Sequence, residues 1–278
     1  MIIRMLLTYR VRARNTSADS ENKIHDDSTA ATYGFRGGLV PGITVYAYLT
    51  VPIVERFGLA WLERGAIHVK FNSPFYDGEE VIVSAETDEG NDPIRIAMKA
   101  GRRDGTTCAT ALATLNDDSA WPGAASLADY PEAPLPDEAG RHEATPESFV
   151  AGRLLGSLYE TFELPDTALL ASLDEKLPVY AGPLAVAHPF ALLRLSNQIL
   201  MSNFKLGPWI HASSNLVNRS TVRNGETVSV RGRISECFER KGHEFVVLDV
   251  LVASADRMVQ QVRHTAIYRP RVIGPSGI

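Results

Sequence analysis

The sequence predicts an α+β protein built as two like halves, each an antiparallel sheet wrapping a long apolar helix. Three observations predict it: a repeated hairpin turn, a repeated apolar segment upstream of that turn, and alternating strand-like runs after each. The turn reads Asp77-Gly78-Glu79 with Val81 and Val83 in one half, and Asn224-Gly225-Glu226 with Val228 and Val230 in the other. Asp-Gly and Asn-Gly supply the positive-φ residues that tight hairpins need, and the valines supply period-2 alternation. Upstream, GGLVPGITVYAYL opens at Gly37 and GPLAVAHPFALLRL at Gly182, so Gly182 stands to Gly37 almost as Gly225 stands to Gly78.

The elements follow in order. MIIRMLLTYRVRARN has a short apolar stretch broken by Arg4 and then alternates. It reads as a first strand and not a signal peptide, because the apolar core is too short and no small-residue cleavage site follows. Residues 43–57 and 190–200 are long enough for helices and too apolar all round for surface ones, which predicts burial. Pro52 should kink the first helix or mark its break. His188 opens the second at about the place of Ile43. Strand-like runs then cover residues 66–71, 80–87, 94–100 and 107–115, and again 210–217, 227–237, 244–253 and 258–268. Residues 116–146, rich in Asp, Ala, Pro and Gly without periodicity, read as a linker.

One sheet around one apolar helix is the hotdog layout, and two such units hide sheet edges by pairing side by side, a pseudo-dimer within one chain. The expected division is a first hotdog over residues 1–118, a linker over 119–146 and a second hotdog over 147–278. The alternative is two unrelated α+β domains sharing a common turn. Of 278 residues, 45% are hydrophobic and 22% charged, enough apolar material for a sizeable core. A net charge of −5 argues against a generally basic nucleic-acid surface, and no apolar run reaches the length of a membrane span. Cys108 and Cys237, the only cysteines, lie in alternating stretches away from any His/Cys cluster. They read as two buried thiols in a reducing cytoplasm, without a zinc site or disulfide framework.

The stretch of residues 18–42, ADSENKIHDDSTAATYGFRGGLVPG, carries the chemistry. It resembles the signature of the MaoC-like (R-specific enoyl-CoA hydratase/hydroxyacyl dehydratase) double hotdog family. Matching positions are Asn22, His25, Asp27, Ala31, Gly34-Phe35 and Gly42. Two positions depart: Ser20 stands where the family has its catalytic Asp, flanked by Asp19 and Glu21, and Pro41 stands where the family has a His. The resemblance implies a cofactor-independent lyase acting on an acyl thioester of CoA or a carrier protein, with no nucleic-acid or membrane partner. Further dimerisation of the double unit stays open.

Physical demand selects the same residues. Hydrating an α,β-unsaturated thioester needs a group that moves protons and donors facing the oxygen where enolate charge grows. His25 titrates near neutrality. The first amides of the helix at Gly42 are unpaired donors at the positive end of the helix dipole, and Gly42 lets a carbonyl approach closely. Asn22 is placed to orient water or thioester, and Asp19 or Glu21 restores a carboxylate if a bulge turns it inward. Glu21, Gly37, Gly38, Val40, Pro41 and Gly42 are the candidate substrate contacts.

Each has a plainer reading: His25 as a polar-loop histidine beside Asp26 and Asp27, Ser20 as a cap, Asn22 as an Asx-turn residue, Asp19 and Glu21 as solvated carboxylates, Gly37 and Gly38 as a turn. His188 and His211 read as satisfied structural histidines, because the second half lacks an Asn-x-x-His-x-Asp block and is expected to supply wall and acyl tunnel. The competing functions are an acyl-CoA thioesterase, a non-catalytic acyl-binding subunit, and a biosynthetic isomerase or cyclase using the same pocket.

Overall fold

A computed structural model of the chain describes residues 4–88, 90, 92–117 and 126–272. The elements run β1 (Arg4–Arg12), α1 (Asp27–Thr32), α2 (Gly42–Phe57), α3 (Leu59–Arg64), β2 (Gly65–Phe71), β3 (Glu80–Asp88), β4 (Ile94–Gly101) and β5 (Thr107–Leu115). They continue with β6 (His142–Glu143), β7 (Leu154–Thr161), α4 (Thr167–Leu173), α5 (Pro189–Asn203), β8 (Phe204–Lys205), β9 (Ile210–Asn218), β10 (Thr227–Arg240), β11 (His243–Ser254) and β12 (Arg257–Arg269).

Ten strands form one sheet in the order β1-β3-β4-β5-β2-β9-β12-β11-β10-β7, and every neighbouring pair is antiparallel. Read outward from the centre, the second half repeats the first. The halves meet where β2 pairs with β9, from Ala66 opposite Val217 to Lys70 opposite Ser213. Joining at the centre leaves only β1 and β7 as edges. The β7 edge is partly covered, since Ser157 N–H donates to Ala133 O at 2.9 Å.

The two Gly turns are not the expected hairpins, because β2 and β3 on either side of the first, and β9 and β10 on either side of the second, are not neighbours in the sheet. Gly78 and Gly225 have φ of 77° and 78°, a region that costs other residues strain. The tyrosine and arginine that open these turns also set the internal repeat: Leu39 bridges Tyr76 as Val186 bridges Arg223. By that register His188 is the counterpart of Pro41 and not of Ile43, a two-residue correction to the alignment read from sequence.

Both long helices lie against the sheet and touch each other, α2 packing on β1, β3, β4 and β9, and α5 on β7, β10, β11 and β12. Every residue from 43 to 54 of α2 is buried, so the helix has no polar stripe. Pro52 sits inside α2 without ending it. Apolar packing on all sides outweighs one missing backbone bond, so of the two expected effects, a kink or a break, the break does not occur. The helix stops at Gly58, whose N–H bonds Val54 O at 2.8 Å.

Strand β11 is buried on both faces. The 3-10 turn Leu127–Asp129 and Tyr130 cover its outer side, Tyr130 packing with Leu251 and Ala253 and donating its hydroxyl to Asp249 Oδ1 at 2.7 Å. Structure therefore exists inside the stretch read as an aperiodic linker. Of the two cysteines, Cys108 is buried but Cys237 is only half-buried.

Candidate active site

The motif folds as a tight polar scaffold. Asn22 caps the 3-10 turn Lys23–His25, and Asp26 caps α1 by accepting from Thr29 N–H at 2.9 Å. Asp27 Oδ1 accepts from Gly38 N–H at 2.7 Å, Leu39 N–H donates to Ile24 O at 3.2 Å, and Asn15 Nδ2 donates to His25 O at 2.8 Å. These bonds press the 33–40 loop onto the turn. A Cβ on Gly38 would lie 2.1 Å from His25 O, so only glycine allows that approach.

The loop delivers Leu39 O to His25 Nδ1 at 2.7 Å. A carbonyl only accepts, so Nδ1 carries the proton and Nε2 keeps its lone pair. Burial lowers the His25 pKa, and the Leu39 carbonyl opposes that in part. The ring is a neutral base near pH 7.

His25 lines a cavity of about 240 Å³ with Gly42, Phe71, Asn197, Trp209 and His211 among its walls. Both halves of the chain contribute to it. At the tip of α2, Thr44 and Val45 N–H both return to Pro41 O, which leaves the amides of Gly42 and Ile43 as donors without a partner among the described residues. No carboxylate, lysine or arginine lines the cavity among those residues.

The structure separates the sequence-predicted site residues into two groups. His25, Asn22, Val40, Pro41 and Gly42 meet at the cavity. Asp19 and Glu21 are exposed, and neither hydrogen-bonds the imidazole. Neither carboxylate turns inward to replace the missing Asp, and both take the plainer reading of solvated loop residues, the cheaper state. Ser20 Oγ donates to Asn22 O at 3.3 Å and does not line the cavity. Glu21 lines a separate cleft of about 220 Å³ with Arg141 and Lys205. Gly37 and Gly38 do not line the cavity, and both are packed within the loop, Gly37 near Asp27 and Tyr76 and Gly38 against His25 O.

Asn22 is corrected too. Its Nδ2 donates to Trp209 O at 2.9 Å, its Oδ1 accepts from Trp209 N–H at 3.1 Å and Ile24 N–H at 3.3 Å, and Nδ2 faces His25 Nε2 at 3.4 Å. The amide is fully used as a clamp between the motif and the second half. Asn22→Ala should therefore cost about 2 kcal/mol in urea unfolding, because both main-chain groups of buried Trp209 lose their partner. A loss under about half a kcal/mol would show that water replaces the clamp.

A larger cleft of about 720 Å³ lies by the tip of α5, beside His188 and Tyr180. Its histidine is already committed: Nδ1 accepts from Phe190 N–H at 3.0 Å and Nε2 meets buried Glu175 at 3.3 Å. With no free ring nitrogen, it offers no base.

Sequence reasoning undervalued His211. It is 6% exposed, lines the His25 cavity, and heads a buried chain in which Nε2 lies 2.8 Å from Ser214 Oγ and Ser214 Oγ 3.1 Å from His264 Nδ1. Alternation places residues 211 and 214 on opposite faces of a strand. The register slips between Thr265 opposite Ser213 and Ala266 opposite His211, leaving Ala212 as a bulge that brings the two side chains together. No local signal in the sequence marks that bulge.

No protein-family model and no curated protein matches this chain. Solved structures do. A MaoC-like dehydratase aligns at a TM-score of 0.61 and 12% identity, over 96% of this chain and 97% of its own. A conserved protein of Mycobacterium tuberculosis, described as essential for survival during infection and as a double hotdog, aligns at 0.62 and 16%, over 95% of each chain. A protein described as an oleoyl thioesterase from Lactobacillus plantarum aligns at 0.52 and 11%, over 97% of each. At these identities the likeness is one of fold, and the chain is a double hotdog protein over nearly its whole length.

Proposed function

We propose that the protein is an enzyme that adds water to, or removes it from, an uncharged α,β-unsaturated or 3-hydroxy acyl thioester carried by CoA or a carrier protein. The observation that carries this reading is a neutral imidazole, with Nδ1–H tied to Leu39 and the Nε2 lone pair met only by the long 3.4 Å contact of Asn22 Nδ2, in the cavity that Gly42, whose amide is unpartnered among the described residues, also lines. In hydration, Nε2 takes a proton from water as the water oxygen bonds the β-carbon. The π electrons move to the thioester oxygen, which the Gly42 and Ile43 amides hold as an enolate. The imidazolium then returns the proton to the α-carbon, and one water has been added. Since no carboxylate assists, His25 both takes and gives the proton.

The lining also narrows the acyl group. A carboxyl-terminated chain would bury its charge without a lysine or arginine to pair it, so neutral chains fit and dicarboxylic ones do not. The test is incubation with crotonyl-CoA while following enoyl absorbance and free thiol together. Loss of absorbance without thiol is the expected result. Thiol release would identify a thioesterase, and neither change across short and medium chains would overturn the enzymatic reading.

A further inference from the structure

We propose that His211 is a second catalytic residue of this site, a hydrogen-bond donor that presents Nδ1–H to the thioester oxygen beside the tip of α2. This rests on the hydratase reading above and adds to it the group that completes the oxyanion donors. Three observations carry it. First, His211 belongs to the second half of the chain yet lines the His25 cavity, and its Nδ1 would lie 3.1 Å from a Cβ placed on Gly42. It therefore packs directly on the residue whose amide opens α2. Second, Nδ1 is buried without a well-aligned hydrogen-bond partner, and a main-chain contact of the ring with Ser213 only partly offsets that burial, a costly state in the absence of a ligand.

Third, the chain behind the ring decides where its proton sits. His264 Nε2 is also buried and unpartnered. A proton there would be an N–H with no cavity beside it to supply an acceptor among the described residues, whereas His211 lines the cavity, where substrate can accept from Nδ1–H. The His264 proton is therefore on Nδ1 and is donated to Ser214 Oγ. The serine hydroxyl then donates to His211 Nε2, and the remaining ring proton of His211 lies on Nδ1. Burial first, and then His264, hold the His211 pKa well below the ordinary value, against an opposing contribution from the Ser213 main chain. The ring stays neutral, as a polarising donor beside a helix N-terminus must.

The two ring nitrogens can be tested separately. His211→Asn keeps an N–H near the Nδ1 position and loses the Ser214 contact, while His211→Gln keeps the Ser214 contact and loses the cavity donor. The expected result is that the Asn variant holds kcat within about tenfold of wild type, while the Gln variant loses about 10²–10³-fold in kcat with KM little changed. A purely structural histidine reverses that order, and Gln equal to or better than Asn overturns the proposal. A second readout needs no substrate: ¹⁵N spectra of histidine-labelled wild-type protein should show His211 as the Nδ1–H tautomer. The Nε2–H tautomer overturns the donor role whatever reaction the protein runs. Absence of turnover in wild type on any thioester, with the Nδ1–H tautomer present, instead removes the hydratase reading and the catalytic role together.

Discussion

Replacement of His25 by alanine should lower turnover of an enoyl thioester by about 10²–10⁴-fold while changing unfolding stability by no more than about 1 kcal/mol. The ring is half-buried, and its one strong bond, Nδ1–H to Leu39 O, lies at the edge of a cavity where water can replace it. His25→Asn sharpens the point, since it keeps a donor near Leu39 but has no base at the Nε2 position. It should be as inactive as the alanine variant and as stable as wild type. The pH profile gives an independent check. Burial lowers the His25 pKa and the Leu39 carbonyl only partly opposes it, so the base form dominates at neutrality. The rate constant kcat/KM should be flat above the ordinary histidine range and fall on acidification through a pKa below 6.5. Full activity in His25→Ala removes the catalytic assignment.

Acid should unfold the protein well before its surface carboxylates require it. His264 is pushed down to about 3 by burial, and His211 well below its ordinary value by burial and by His264. The sign follows from linkage. The folded pKa lies below the unfolded one, so the stability is complete above pH 6.5 and is lost as pH falls, because the unfolded chain takes the proton first. For His264 alone the loss reaches about 3 kcal/mol between pH 6.5 and pH 4. His188 adds in the same direction, since burial lowers its pKa and Glu175 only partly opposes it. Urea unfolding across that range should show the decline, and His264→Gln should flatten the slope by about one proton. An unchanged slope in that variant would place the acid sensitivity elsewhere.

The same contrast separates what was legible from what was not. The Asp-Gly and Asn-Gly turns with their flanking valines located two tight turns and the strands that follow them, though not hairpins, and uniformly apolar segments located both buried helices to within a few residues of α2 and α5. These are local properties: a turn needs its glycine and a buried helix needs apolar residues on every face. The repeat alignment slipped by two residues because the glycines Gly37 and Gly182 belong to loops, whereas bridges to Tyr76 and Arg223 set the true register. For the site, the Asn22-to-Gly42 block pointed to His25 and the helix tip, because local capping and loop bonds hold that block together.

By itself, then, the amino-acid order determined two repeated sheet-and-helix units, their apolar centres and one neutral-range imidazole beside a helix start. Tertiary structure alone decided that Asn22 clamps Trp209, 187 positions away, instead of serving water. It also decided that Asp19 and Glu21 face solvent and that a bulge at Ala212 turns His211 toward Ser214. The reason is physical: side-chain direction along a strand follows from sequence only while the ladder stays regular, and the partners of a polar group depend on surfaces that meet after folding.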